Sequence, residues 1–84
     1  MLKYYIVVLI FGKVASFTGP ILDHDACRNQ AQFRYEEIIK KASERGVTSV
    51  QIDGKTATKN DLAVVCKTFL KDPEIVIDLS QIKQ

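Results

Sequence analysis

Hydrophobic side chains fill one run near the beginning of the chain without interruption. The run covers residues 4–11, YYIVVLIF. Alternate residues of an extended strand point to opposite sides, so this run would be apolar on both of its sides. Strands of that kind lie in the centre of a sheet, where both faces are covered. The run therefore predicts a central strand.

Residues 12–20 are expected to fold the chain back beside that strand. Gly12 and Lys13 are a turn signal, and residues 14–17 have the composition of a short second strand. The sequence Thr-Gly-Pro at 18–20 interrupts the strand pattern. This part of the chain predicts a hairpin whose second strand ends at residue 17.

A helical spacing begins after residue 23. From residue 25 to residue 45, hydrophobic side chains recur at intervals of three and four, which places them on one face of a helix. Asp23 and Asp25 are good N-cap residues, and Gly46 stands where a C-terminal cap is expected. The apolar face consists of Cys27, Ala31, Tyr35, Ile38, Ile39 and Ala42.

A second, shorter pair of strands is predicted next. Residues 47–53 alternate between apolar and polar positions, which is typical of a half-buried strand. Asp53-Gly54 is a turn signal, and residues 55–57 predict a short edge strand. A lysine and a threonine follow Gly54, but the glycine that a phosphate-binding loop needs five positions earlier is absent, because Ser49 stands there. We therefore interpret this segment as a hairpin turn.

The last third of the chain predicts a second helix and a last strand. Thr58 and Asp61 resemble a capping box, with Asp in place of the usual Glu. Asp72-Pro73 would end the helix, and residues 74–80 alternate like a strand. The apolar stripe of the second helix would be Leu62, Val65, Cys66, Phe69 and Leu70.

These elements predict an α+β fold in a single domain, residues 1–84. The expected architecture is a two-layer sandwich in which a mainly antiparallel sheet of about three to five strands packs against two helices. A ferredoxin-like arrangement is one such solution. A strand edge left open near residues 14–17 or 74–80 would allow a homodimer.

The first 16 residues also have the features of a secretory signal. Lys3 supplies positive charge, an apolar run follows, and residues 14–16 resemble a cleavage site. The run is too short to span a membrane, which needs about 20 apolar residues, and it is rich in β-branched and aromatic residues. We expect a retained strand and a cytoplasmic protein. The alternative is an exported protein that is cleaved after residue 16 and carries one Cys27–Cys66 disulfide.

Charge and composition favour no particular nucleic-acid or enzymatic function. Twelve Lys and Arg residues against ten Asp and Glu give a net charge of +2, which requires no concentrated basic face. The single histidine, His24, supports no catalytic set, and too few Cys and His residues are present for a closed zinc site. Asp23 and Asp25 are better explained as helix caps. We expect no catalytic residues, no metal and no cofactor.

The candidate functional residues lie on two stripes of the first helix. One stripe, on the solvent side, carries Phe33, Glu37, Lys40 and Glu44, and the other, along the edge of the buried face, is basic and carries Arg34, Lys41 and Arg45. Phe33 falls about 120° from Cys27 on the helical wheel, so an aromatic ring would point away from the sheet. Interface centres favour aromatic side chains and interface rims favour charged ones. We therefore expect a partner-binding surface, named here the Phe33 surface, which consists of Phe33, Arg34, Glu37, Lys40, Lys41, Glu44 and Arg45.

The function expected from these observations is protein binding without catalysis. Small domains of this size that lack catalytic residues include adaptors and phage-type inhibitors of host enzyme complexes, so a viral origin is one interpretation. A nucleic-acid backbone is the weaker alternative partner, because phosphate contacts need only positioned positive charge. The basic side chains available to it on the helix are Arg28, Arg34, Lys40, Lys41 and Arg45.

Overall fold

The computed structural model describes residues 3–77 of the chain. A three-stranded antiparallel sheet carries one long helix, and a two-stranded hairpin forms a second small sheet. The elements are β1 (Lys3–Ile10), β2 (Lys13–Ile21), α1 (His24–Glu44), β3 (Val50–Ile52), β4 (Lys55–Ala57), a short 3-10 helix (Lys59–Asp61) and β5 (Leu62–Phe69). The order of strands in the larger sheet is β2-β1-β5.

Strand β1 is the centre of the larger sheet, as the sequence predicts. It pairs with β2 on one side and with β5 on the other, antiparallel in both cases. Tyr5 and Val7 are fully buried on one face, and Ile6 and Val8 are at most 7% exposed on the other. A chain that lost residues 1–16 would lack this strand and could not form the sheet.

Strand β2 extends to Ile21 and does not end at residue 17 as predicted. The Thr-Gly-Pro sequence is accommodated inside the strand, where the pairing with β1 shifts register between Tyr4 and Ile6. Gly19 makes this possible because its backbone lies directly against Tyr5. A β-carbon built at Gly19 would lie 2.8 Å from Cδ1 of Tyr5. The close approach therefore depends on glycine.

Helix α1 confirms the predicted helix to within one residue at each end. The carboxylate of Asp23 accepts hydrogen bonds from the backbone N–H groups of Asp25 and Ala26, which makes it the N-cap. Gly46 adopts a positive φ of 69° after the helix, as a C-terminal cap requires. Only Cys27 and Ala31 are buried among the helical residues. The second half of the predicted apolar face is therefore only partly covered.

The hairpin of β3 and β4 confirms the turn at Asp53-Gly54. Both residues have positive φ, 49° and 78°, as the two-residue turn of a tight hairpin demands. The first strand is shorter than predicted, because only Val50–Ile52 of residues 47–53 pair with β4. The hairpin packs Ile52 and Ala57 against Ile10 at one end of β1.

The predicted second helix is wrong, because its residues form strand β5. Leu62–Phe69 pair with β1 in one uninterrupted register. Val64, Val65 and Phe69 favour strands, and residues 62–66 are apolar on both faces of the strand. A short run that is apolar on both sides does not distinguish a strand from a buried helix by its spacing. The capping box of Thr58 and Asp61 is present, but it caps only the 3-10 helix.

The predicted last strand is wrong over its described part. Residues 74–77 form no strand, and residues 78–80 lie outside the described part of the chain. Instead, the segment after β5 crosses the sheet. The hydroxyl of Tyr5 in β1 donates a hydrogen bond of 2.7 Å to Asp72. Farther along, the N–H groups of Val76 and Ile77 donate to the carbonyl of Val14 in β2.

The fold is thus α+β, with one helix on a three-stranded sheet. The two-layer arrangement with two helices and its ferredoxin-like form are not confirmed, since a ferredoxin-like fold needs a second helix where β5 lies. Within residues 3–77, no helix is long and apolar enough to cross a membrane.

Candidate functional site

Phe33 points into solvent from the side of α1 that faces away from the sheet. Its side chain is 69% exposed, whereas Cys27, about 120° away around the helix, is fully buried. The predicted exposure of the ring is therefore confirmed. An aromatic side chain this exposed has no packing role in the described fold, so its removal would expose no core.

Charged side chains lie beside the ring in an ordered arrangement. Glu37 is held between Arg34 and Lys41, at 3.6 Å from the guanidinium of the first and 3.2 Å from the ammonium group of the second. The side chain of Glu37 is 35% exposed. Such surface pairs contribute at most about 1 kcal/mol to stability. Their effect here is to fix where positive and negative charges stand next to Phe33.

The remaining residues of the Phe33 surface lie on the last turns of the helix. Lys40 and Glu44 are exposed on α1. Arg45 is the C-cap residue, and its backbone N–H donates to the carbonyls of Lys41 and Ala42. All seven predicted residues therefore belong to one helix and its cap.

Comparison of the chain with models of protein families, with curated proteins and with solved structures found no significant match. The geometry of the chain itself therefore has to carry the functional argument.

The two cysteines form a disulfide between α1 and β5. Cys27 and Cys66 are joined with their α-carbons 5.8 Å apart, inside the usual range for a disulfide. The prediction of a bridge between two helices is corrected to a bridge between a helix and a strand. Disulfides persist mainly in oxidising compartments. The exported alternative of the sequence analysis includes this bridge, but its cleavage after residue 16 would remove β1, to which β5 is paired. The cytoplasmic location stays a prediction.

The residues near the start of α1 have structural roles. Asp23 is occupied as the N-cap, and the ring of His24 packs against Tyr4 with the ring centres 5.2 Å apart. Among residues 3–77, no three His, Cys, Asp or Glu side chains are grouped so that they could share a metal ion.

The pKa of the buried Tyr5 hydroxyl depends on its contact with Asp72. Its hydrogen bond to Asp72 raises the pKa of Tyr5 above the ordinary value of 10.0, with burial and the charge of Asp72 acting in the same direction. In the unfolded chain the hydroxyl ionises near its ordinary pKa, while the folded chain still holds the proton. This contribution to stability is complete below about pH 10 and is lost as pH rises beyond it.

We expect Tyr5→Phe to flatten the decline of stability at alkaline pH. Urea unfolding of wild type and variant at several pH values between about 8 and 11 measures this difference. The wild type should lose more free energy of unfolding than the variant over the upper half of that range. Tyr35→Phe is the control, because the hydroxyl of Tyr35 makes none of the side-chain hydrogen bonds found in residues 3–77. Identical pH profiles for wild type and Tyr5→Phe would contradict the account.

Sequence reasoning missed a groove between α1 and β5. The groove has a volume of about 730 Å³ and opens beside the outer edge of β5. It was hidden because β5 was predicted to be a helix. The β-branched pair Val64-Val65 was the signal that could have revealed it. Its lining residues include Arg28, Gln32, Tyr35, Glu36, Val64 and Val65.

Proposed function

We propose that this protein is a non-catalytic protein-binding module that uses the Phe33 surface. The observation that carries the proposal is the 69% exposure of Phe33 on a helix face that the fold itself does not need. Aromatic side chains dominate the energy of protein interfaces when a partner encloses them. The partner we propose is a protein with an apolar pocket for the ring.

The charges around the ring support a protein partner over a nucleic acid. Arg34 and Lys41 are both paired with Glu37, and Glu44 adds a further negative charge to the same surface. A phosphate backbone would have to displace Glu37 from its partners, and it would be repelled by both carboxylates. A protein rim of mixed charge can instead match the arrangement. An adaptor and an inhibitor of an enzyme complex are both consistent with such a surface.

We expect Phe33→Ala to abolish capture of the partner and to leave folding intact. The melting temperature should change little, since exposed substitutions are usually within about 0.5 kcal/mol and Ala favours helices. The measurement is affinity capture from the cells that produce the protein, followed by binding of the purified candidate. Loss of the ring should weaken that binding about 30-fold or more, as expected for an interface hot spot of about 2 kcal/mol.

Leu22→Ala is the matched control for this experiment. Leu22 is also a large exposed hydrophobic residue, with 90% of its surface exposed, but it lies outside the Phe33 surface. It should bind the partner as the wild type does. Equal binding by wild type and Phe33→Ala would contradict the proposal, and so would a steep loss of binding between low and moderate salt with DNA or RNA as the partner.

The Cys27–Cys66 bridge favours one further candidate, a small exported protein. A single disulfide that joins the helix to the sheet suits a short domain outside a reducing compartment. Alkylation of the protein in its native cells before lysis, followed by mass spectrometry, tests this. Two alkylated cysteines would contradict the exported candidate, and none would support it. The protein-binding proposal holds in either compartment.

A further inference from the structure

We propose that two copies of this chain pair through the outer edge of β5 to form one continuous six-stranded sheet. The contact uses the stripe of α1 that carries Arg28, Gln32 and Glu36, and Gln32 lies about 100° around the helix from Phe33. This inference therefore goes beyond the proposed function and does not depend on it. Three features of the molecule support the pairing: the free backbone groups of β5, the place of α1 above the sheet and the charges that line the groove.

The outer edge of β5 presents unpaired backbone groups. The backbone N–H of Phe11 bonds to the carbonyl of Asp61, which fixes the alternation of the antiparallel ladder that follows. In that alternation, the odd-numbered residues of β5 bond to β1 and the even-numbered residues direct their N–H and C=O groups outward. Within residues 3–77, the outward groups of Val64, Cys66 and Thr68 have no backbone partner.

This edge lacks the features that normally prevent strand pairing. β5 is eight residues long, and its register with β1 has no bulge. It contains no proline, and its only charged residue is Lys67. Natural proteins usually protect such edges with charges, prolines, bulges or a covering segment. The other edge strand, β2, has such a covering segment, since Val76 and Ile77 bond to Val14.

The position of α1 allows two copies to meet without a clash. α1 packs on both β5 and β1. Neighbouring strands are about 4.8 Å apart, so a helix axis midway above β1 and β5 lies about 2.4 Å from β5 toward β1, measured in the plane of the sheet. A two-fold axis midway between the two copies of β5 lies about 2.4 Å from β5 in the opposite direction. The two helix axes would then be about 10 Å apart. That is the distance at which helices pack through their side chains.

The charges on α1 of one copy are complementary to those on α1 of the second copy when this two-fold axis relates the two helices. The helix runs antiparallel to β5, because Cys27 is bonded to Cys66 and Ala31 packs near Val64. A two-fold axis at Val64 therefore passes close to Gln32. Arg28 and Glu36 lie four residues to either side of Gln32 on one stripe of the helix.

Arg28 of one copy then faces Glu36 of the other, twice in each dimer. Both side chains line the groove, and neither takes part in the ion pairs found among residues 3–77. A pairing centred on Cys66 would instead bring Arg28 close to Arg28 of the second copy. The charges therefore favour the register in which Val64 lies opposite Val64 and Leu62 lies opposite Cys66. An unrelated strand would not meet this complementary pattern, so a second copy is the occupant that we infer.

A charge-reversal experiment tests this pairing. Sedimentation of the oxidised full chain from about 1 to 200 μM should show a monomer–dimer equilibrium. Arg28→Glu alone places Glu opposite Glu36, and Glu36→Arg alone places Arg opposite Arg28, so each variant should raise the dimer Kd at least tenfold. An equimolar mixture of the two variants should form a heterodimer, because both interface pairs are then of opposite charge. Glu44→Arg makes the same kind of charge change at a residue of α1 that does not line the groove, so it should dimerise like the wild type.

Proline at position 64 tests the strand contact separately. The N–H of Val64 points outward, so Val64→Pro removes a donor from the edge and none from the β1 ladder. The variant should stay folded by circular dichroism and be monomeric at 200 μM. A wild type that is monomeric at that concentration would overturn the proposal. So would single variants that dimerise like the wild type, or a mixture that fails to associate while the wild type does.

Discussion

Reduction of the Cys27–Cys66 bridge is expected to lower the melting temperature by on the order of 20 °C. The bridge spans a sequence separation of 39, and closing a loop of that size removes about 4 kcal/mol of conformational freedom from the unfolded chain in the loop-entropy model. For a domain of this length, 1 kcal/mol changes the melting temperature by about 4–8 °C. The total stability of such a domain is of order 5–10 kcal/mol, so the loss is a large fraction of it.

The measurement is thermal unfolding with and without reductant, with the redox state checked by mass. A variant with both Cys27→Ala and Cys66→Ala is the control, and its melting temperature should be low and independent of reductant. Cys27 is fully buried, so the variant also loses packing at that position. Equal melting temperatures for the oxidised and reduced wild type would contradict the bridge between α1 and β5.

Gly19→Ala is expected to cost about 3–5 kcal/mol of the free energy of unfolding. The φ angle of Gly19 is +146°, a conformation that residues with a β-carbon rarely adopt. An added β-carbon would also lie 2.8 Å from Cδ1 of Tyr5 and 3.0 Å from the carbonyl oxygen of Tyr4. The ring of Tyr5 cannot move aside easily, because it packs edge-on against Phe17 and Phe69. Backbone strain and steric overlap therefore both lower the free energy of unfolding of Gly19→Ala, and the two losses add.

Gly12→Ala separates these two effects. Gly12 has a positive φ of 76°, but apart from its neighbours along the chain no heavy atom lies within 4 Å of the place where its β-carbon would be. Gly12→Ala should lower the free energy of unfolding only through backbone strain, by about 1–2 kcal/mol. Urea unfolding of both variants gives the comparison. Equal losses in the two variants would show that β2 does not approach Tyr5 as closely as described.

Elements with strong local signals could be predicted from the sequence. Strand β1 is apolar from residue 4 to residue 10, α1 has a cap at each end, and the Asp53-Gly54 turn requires positive φ at both residues. Each of these signals depends on interactions within a few residues. The exposure of Phe33 followed from the same helical periodicity, so the candidate surface could be predicted together with its helix.

Elements whose structure depends on distant partners could not be predicted in the same way. β5 is a strand because β1 offers it a ladder of eight residue pairs, and no local feature of residues 62–69 encodes that partner. The segment after β5 is held by Tyr5 and Val14, which are more than 60 residues away along the chain. The groove and the free strand edge follow from β5, and the signal for them in the sequence is the β-branched pair Val64-Val65, which favours a strand.

The assignment of residues 62–69 is the claim on which the bridge, the groove and the pairing of two copies all depend. Nuclear Overhauser contacts between α-protons of β1 and β5 test it most directly. The alternation of the ladder places Val8 and Val64, and Ile6 and Cys66, as close pairs without mutual hydrogen bonds. Strong contacts between the α-protons of both pairs are the predicted result. Strong contacts between successive amide protons along residues 62–70, with none to β1, would show a helix there and contradict the account.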